Sequence, residues 1–269
     1  MNFDDVNSRG LVMLGCGKMG SAMLAGWLDR GLDPGATWVL DPFPSSWLLE
    51  TGVRLGEPLP TDPAVAIIAV KPQIMEEALP ALLPFSGGQT LFISVAAGTR
   101  IARYTEALGP SAPVIRAMPN TPAAIGQGIT ALIGSPGVGD AEMSLAELLL
   151  GAVGKTVRLD NEAQMDAVTG LSGSGPAYVF HLIECLAAAG QAQGLQPELA
   201  MDLAISTVAG AGALARDGAQ SPEQLRINVT SPNGTTQAGL DVLMSQLPDL
   251  VRATVRAATD RSKELSNDG

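Results

Sequence analysis

Strand-like apolar runs recur through the first 160 residues of this chain and then stop. Arg9-Gly-Leu-Val-Met-Leu-Gly15 opens the series, and Thr37–Asp41, Val65–Val70, Thr90–Val95 and Val114–Met118 follow, with room for a helix or loop between them. Brief apolar runs bounded by glycine or proline suit strands buried on both faces, and their alternation with helices specifies a parallel sheet. Two further runs, Ile129–Ile133 and Thr156–Leu159, flank a helix expected over Asp140–Leu150 and extend the sheet at one edge. Beyond about Asp160 the pattern is Ala- and Leu-rich, with helices expected at Glu162–Leu171, Pro176–Ala189, Pro197–Arg216, Thr235–Ser245 and Pro248–Leu265. The small residues of Val208-Ala-Gly-Ala-Gly-Ala213 permit close helix packing, either between subunits or within an ordinary bundle.

Gly15-Cys-Gly-Lys-Met-Gly20 falls directly after the first strand and opens a helix expected over Lys18–Arg30, capped by Gly31. Here Gly15 permits a tight turn, Gly17 lets backbone approach a pyrophosphate, and Gly20 packs helix on strand. The helix N-terminus offers N–H donors to the phosphates. A glycine-rich turn without a ligand is the competing interpretation. A P-loop is excluded, because Met19 follows Lys18 where Ser or Thr is required. The expected fold class is α/β: a Rossmann-type dinucleotide-binding domain over residues 1–160, then an all-α domain over 161–269 that is expected to dimerise. Asp41 ends the second strand 21 residues beyond Gly20, where a carboxylate holds the adenosine ribose diol and repels a 2′-phosphate. That favours NADH, unless Asp41 only starts a turn before Pro42.

Composition narrows the chemistry. The chain has 269 residues, 46% apolar and 16% charged, which suits a compact fold. Its net charge of −11, without a basic patch, argues against nucleic acid. Cys16 and Cys185 stand far apart with no CxxC pattern, so no disulfide framework or metal site is expected and a reducing cytoplasm fits. The first residues lack a secretory pattern, and His181, Glu184 and Gln191 interrupt the apolar stretch Tyr178–Leu195, so neither export nor a membrane anchor is expected. The single histidine, His181, sits in an apolar helical segment as a core or interface residue, and there is no GxSxG elbow or His/Cys pairing. What remains is chemistry carried by the nicotinamide, with the protein positioning the reactants.

Some of the 31 glycines and 19 prolines mark short peptides beyond the Gly15–Gly20 loop. Val70-Lys-Pro-Gln73, Ser94-Val-Ala-Ala-Gly98 and Arg116-Ala-Met-Pro-Asn-Thr-Pro-Ala123 follow strands, where open α/β sheets bind ligands. Ser172-Gly-Ser-Gly-Pro-Ala-Tyr178 and Val229-Thr-Ser-Pro-Asn-Gly-Thr-Thr236 belong to the helical half. The last leads into a helix whose free N–H groups suit a carboxylate, although simple capping explains its Ser, Thr and Asn equally well.

In this order and spacing, from Gly10 to about Leu265, the peptides resemble the pyrroline-5-carboxylate reductase family. The resemblance implies reduction of 1-pyrroline-5-carboxylate to L-proline with NADPH or NADH, the last step of proline biosynthesis. It implies cofactor contacts at Gly15, Gly17, Lys18, Met19, Gly20, Asp41, Ala69, Val70, Lys71, Pro72, Ala96, Ala97 and Asn228. It also implies an intertwined homodimer, or a larger homo-oligomer such as a decamer, with substrate between one subunit's nicotinamide and the other's Thr-Ser-Pro peptide. Backbone N–H groups of Gly234, Thr235 and Thr236 then receive the carboxylate, and the Thr236 hydroxyl meets the ring nitrogen as the catalytic group. Two positions depart from the family's common pattern: Asn233 replaces a glycine, and Asp41 stands where many relatives carry Ser, Thr or Arg. A β-hydroxyacid dehydrogenase, the rival enzyme, needs a lysine in its helical half, and Glu162–Arg261 contains none. A non-catalytic dinucleotide sensor that dimerises through its helices is the rival outside enzymes.

Overall fold

The computed structural model describes residues 3–268. They form two compact units: one runs to Gly173 and resumes at Ala258, and the other is Ser174–Ala257.

The first unit is built on eight strands: β1 (Leu11–Leu14), β2 (Thr37–Leu40), β3 (Arg54–Leu55), β4 (Val65–Ile68), β5 (Leu91–Ser94), β6 (Val114–Met118), β7 (Gly128–Gly134) and β8 (Gly154–Arg158). Its helices are α1 (Asp4–Arg9), α2 (Lys18–Leu28), α3 (Ser46–Glu50), α4 (Met75–Ala78), α5 (Ile101–Leu108), α6 (Asp140–Leu150) and α7 (Met165–Val168). The strand order is β3-β2-β1-β4-β5-β6-β7-β8, parallel as far as β6. The expected strands all form, within two residues at each end. Short β3 and α1 carried no clear periodic signal.

The two-residue alternation of side chains sorts the sheet into two cores. Leu11, Met13, Val65, Ile67, Leu91 and Ile93 pack with Trp27 and Leu24 of α2 and Leu149 of α6. Val12, Leu14, Ala66, Ile68 and Phe92 face the other way, against Leu82, Phe85 and Tyr104. The buried indole of Trp27 donates to the Leu149 carbonyl at 2.7 Å, so even its polar atom is satisfied.

β7 extends the parallel sheet as expected, but runs antiparallel to β6, a direction the sequence pattern left open. The link Pro119–Gln127 holds only a 3-10 turn, and parallel neighbours need a crossover of about a dozen residues or more. After α6 supplies such a crossover, β8 lies parallel to β7 at the sheet edge. The helix expected over Glu162–Leu171 is composite: a 3-10 turn at Glu162–Gln164, α7, and a π-helical stretch at Thr169–Gly173. Gly170, Ser172 and Gly173 contribute weak helix preference there.

The second unit comprises α8 (Gly175–Ala192), α9 (Pro197–Asp217), α10 (Pro222–Asn228) and the start of α11 (Thr235–Asp268). Within it α8 packs on α9, where Gly190 leaves room for Leu195 and Ala200. The short helix α10 was not expected from sequence. Conversely, the break expected between Ser245 and Pro248 does not occur: α11 is continuous with Pro248 inside it. Proline forfeits one helical hydrogen bond, a local loss that the long flanking turns outlast. Apart from Ala187, Ala200 and Ala204, this unit buries no apolar side chain among the described residues, and Phe180, Leu203 and Ile205 stand exposed. By length and apolar composition α9 would also suffice to cross a membrane. Such a helix equally suits a protein interface.

Candidate active site

The C-terminal ends of the central strands are stitched in sequence. Gly15 N–H donates to the Leu40 carbonyl at 2.9 Å, Ala69 N–H to Leu14 at 2.8 Å, and Val95 N–H to Ile68 at 3.0 Å. These bonds bring Asp41, the Gly15–Gly20 loop, the Ala69–Pro72 turn and Ala96–Ala97 onto one edge. Strand order reverses beside β1 there, the position at which open α/β sheets bind ligands.

The residues present fit a dinucleotide. Gly15 has φ +82°, and a Cβ there would lie 2.8 Å from Val70 Cγ1 and 3.1 Å from the Ala69 carbonyl oxygen. At Gly20 a Cβ would lie 3.1 Å from the Gly15 oxygen, so helix and loop need glycine to approach this closely. By contrast, a Cβ on Gly17 would meet nothing within 4 Å, which leaves space in front of the backbone where a pyrophosphate would lie. No side chain caps the start of α2 and no acidic residue occupies its first turn, leaving the helix amides and dipole for an anion. Lys18 is exposed and Met19 half-buried on that turn.

Asp41 is fixed by two backbone donors: Cys16 N–H to Oδ2 at 2.7 Å and Phe43 N–H to Oδ1 at 2.9 Å. It does start a turn, and its carboxylate retains lone pairs for a further donor. The neighbouring Phe43 is 89% exposed. Burial pushes the Cys16 thiol up, Ser21 partly offsets this, and the Asp41 carboxylate adds to the rise, so the thiol stays protonated.

Several residues that brace this edge were missed from sequence. Beneath Ala96, the Ser94 hydroxyl accepts the Ala96 N–H at 3.2 Å and pairs with the Tyr104 hydroxyl at 2.5 Å. Burial raises the Tyr104 phenol, which remains neutral. Arg116, buried in β6, donates to Glu162 Oε1 at 2.8 Å, and the same oxygen accepts the Ile101 N–H at 2.9 Å. A charged residue inside an apolar strand was the one available signal, and it names no partner. Asn120, in the Arg116–Ala123 peptide, donates to the Ser172 carbonyl and accepts from Ile129 N–H, tying that peptide to the end of the first unit's long N-terminal segment.

In the helical unit, Asn233 adopts φ +59°, the left-handed conformation glycine would otherwise supply. Gly234 N–H already donates to the Ser231 carbonyl at 3.0 Å, closing the turn. The amides of Thr235 and Thr236 open α11, where N–H groups lack intrahelical acceptors, and both residues are exposed. Asn228 is engaged within its own unit, accepting from Gln224 and donating to Gln220, each at 2.8 Å. Rather than lying in a core, His181 is exposed on α8, 2.9 Å from Glu184.

A family model described as pyrroline-5-carboxylate reductase dimerisation matches residues 162–265. The chain is 36% identical over 263 residues to a pyrroline-5-carboxylate reductase of Pseudomonas aeruginosa, covering 95% of this chain and 96% of that one. Among solved structures, a pyrroline-5-carboxylate reductase from Coxiella burnetii superposes with a TM-score of 0.90 at 34% identity, covering 97% of this chain and 99% of the other. A Plasmodium falciparum pyrroline carboxylate reductase with NADP bound gives a TM-score of 0.83 at 27% identity over 97% of this chain and 99% of that chain. Similarity of this extent, on a fold whose strand-end edge fits a dinucleotide, establishes that the chain belongs to the pyrroline-5-carboxylate reductase family.

Proposed function

We propose that this chain reduces 1-pyrroline-5-carboxylate to L-proline with NADH or NADPH, the closing step of proline biosynthesis. The observation that carries the proposal is the three-glycine cradle at the reversal of strand order, in a chain of this family.

We assign the pyrophosphate to Gly15, Gly17, Lys18, Met19 and Gly20, the adenosine ribose to Asp41, and the nicotinamide side to Ala69–Pro72, Ala96 and Ala97. When bound, the reduced nicotinamide supplies the hydride. The chain holds the other reactant: the amides of Thr235 and Thr236 receive the carboxylate, and the Thr236 hydroxyl hydrogen-bonds the ring nitrogen. Protonation of that nitrogen makes the imine carbon electrophilic, and an imine takes its proton readily enough that no strong acid is required. Catalysis is then positioning and electrostatics. Gly234 serves as the turn that presents these amides rather than as a donor, because its own N–H is spent on Ser231. Asn228 would have to exchange Gln220 or Gln224 for a cofactor group.

The preferred cofactor is NADH. Asp41 is fixed by backbone donors where a 2′-phosphate would sit, and the loop Asp41–Ser46 carries no Lys or Arg to neutralise it. The working form is a homodimer or a larger homo-oligomer, supported by the exposed apolar side chains of the helical unit. A reducing cytoplasm suits the two free thiols, Cys16 and Cys185.

The test is oxidation of NADH and of NADPH with pyrroline-5-carboxylate, with the six-membered imino acid as control. Turnover of the five-membered substrate with higher kcat/KM for NADH is expected. Absence of turnover despite cofactor binding removes the catalytic assignment, and a clear NADPH preference removes the role given to Asp41.

A further inference from the structure

The last turns of α11 belong to the first unit, and they meet it at a buried acid. Asp166 of α7 is only 9% exposed, and its Oδ1 accepts from Ser262 Oγ at 2.7 Å and from Ser266 Oγ at 3.4 Å. Both serines are buried, and their four-residue spacing puts the two hydroxyls on one helix face. A buried carboxylate must find donors, and this one draws both from the end of α11.

The turn between the serines carries Leu265 over the strand-end loop. A Cβ built on Gly98, which has φ +77°, would lie 3.7 Å from Leu265 Cβ. That loop is already held elsewhere: Ser94 and Tyr104 lie beneath Ala96, and Glu162 fixes Ile101, where α5 begins just beyond the loop. Glu162 and Asp166 stand one turn apart in sequence, so a single short segment ties down both the far end of the loop and the helix that covers it.

We propose that the clasp of Ser262 and Ser266 on Asp166 positions the Ala96–Gly98 loop for the dinucleotide, so that the C-terminal turns of α11 set cofactor affinity. The proposal rests on the assignment of Ala96 and Ala97 to the cofactor. The three clasp residues are positioning residues, acting through the loop rather than on the nicotinamide.

The test uses the full chain with Ser262→Ala and Ser266→Ala together, and reads the Kd for NADH by fluorescence titration beside the KM for pyrroline-5-carboxylate. The expected Kd rises about two- to tenfold, the span that loss of one net hydrogen bond allows, with the imino-acid KM unchanged. Ser262→Thr, which keeps a hydroxyl, restores the parent Kd. A lowered Tm with an unchanged Kd overturns the proposal, leaving the clasp a stabilising contact only. Should the double variant fail to fold, Ser266→Ala alone is read by amide hydrogen exchange at Ala96–Thr99. Faster exchange there is expected, and exchange equal to the parent's overturns the proposal. A parent chain that binds neither NADH nor NADPH removes this proposal and the proposed function together, whereas parent binding with an unaffected variant removes this one alone.

Discussion

The two units bury apolar surface in opposite ways. The sheet unit closes on itself: large side chains such as Trp27, Tyr104 and Phe92 are almost wholly hidden on either side of one sheet. The helical unit hides three alanines and leaves Phe180, Leu203, Ile205 and Leu250 in the open. Full burial of such a side chain is worth about 1.5–3 kcal/mol, and each of these, roughly half exposed, forgoes part of that. An exposed apolar helical surface of that kind suits a protein interface, and residues 162–265 match a family model described as pyrroline-5-carboxylate reductase dimerisation. One unit therefore carries its own apolar core, and the other leaves an apolar face open.

The largest test of this contrast is to charge the open face. Phe180→Glu with Leu203→Glu would bury unpaired carboxylates, each costing about 3 kcal/mol or more in an assembled interface. Sedimentation should show loss of the oligomer and the assay loss of turnover, while NADH still binds the sheet unit. An unchanged sedimentation coefficient would place the interface elsewhere. Next in size is Thr236→Ala, expected to lower kcat about ten- to a hundredfold with the NADH Kd unchanged, as a lost hydrogen bond to the reacting nitrogen allows. Equal kcat values would remove Thr236 from the mechanism.

Gly17→Ala sharpens the other side of the contrast. Gly17 has φ −70° and open space ahead of it, so the fold accepts a methyl group. The pyrophosphate does not, and the NADH Kd should rise about tenfold, some 1.4 kcal/mol, with Tm unchanged. The smallest effect belongs to Glu147, held below the ordinary carboxylate range mainly by its hydrogen bonds from Arg158. Because its folded pKa is lowered, its contribution is present above the ordinary carboxylate pKa and fades as pH falls through the folded value. Glu147→Gln should therefore narrow the Tm difference between neutral and acid pH only slightly, since exposed pairs contribute little. A large change in that difference would show the pair to matter more than its exposure allows.

Much of the sheet unit was legible because its signals are local. Short apolar runs marked its strands, and the spacing of Gly15, Gly17 and Gly20 stated what each glycine permits. Strand direction was not legible at β7, where the length of a link decides the matter. Pro248 misled for a related reason: a proline's cost is local, while the persistence of α11 depends on the turns on either side. Among the residues of the proposed site, Asp41 and Thr236 stood out through their peptides. Ser94 and Arg116 lie in such peptides too, but their pairing with Tyr104 and Glu162 was not legible, because a hydrogen-bond partner far away in sequence leaves no mark on the residues beside it.

By itself the sequence determined the sheet-then-helix order, the glycine cradle and the family. The first two follow from hydrophobic periodicity and backbone freedom, which act over a few residues, and the family from the resemblance of peptides in their order and spacing. Only the tertiary structure decided that Gly234 spends its N–H on a turn, that Asp41 is fixed by two amides, and that Asp166 draws the end of α11 onto the first unit. Buried polar groups must find partners wherever the fold brings them, and that pairing exists only once the chain has closed on itself.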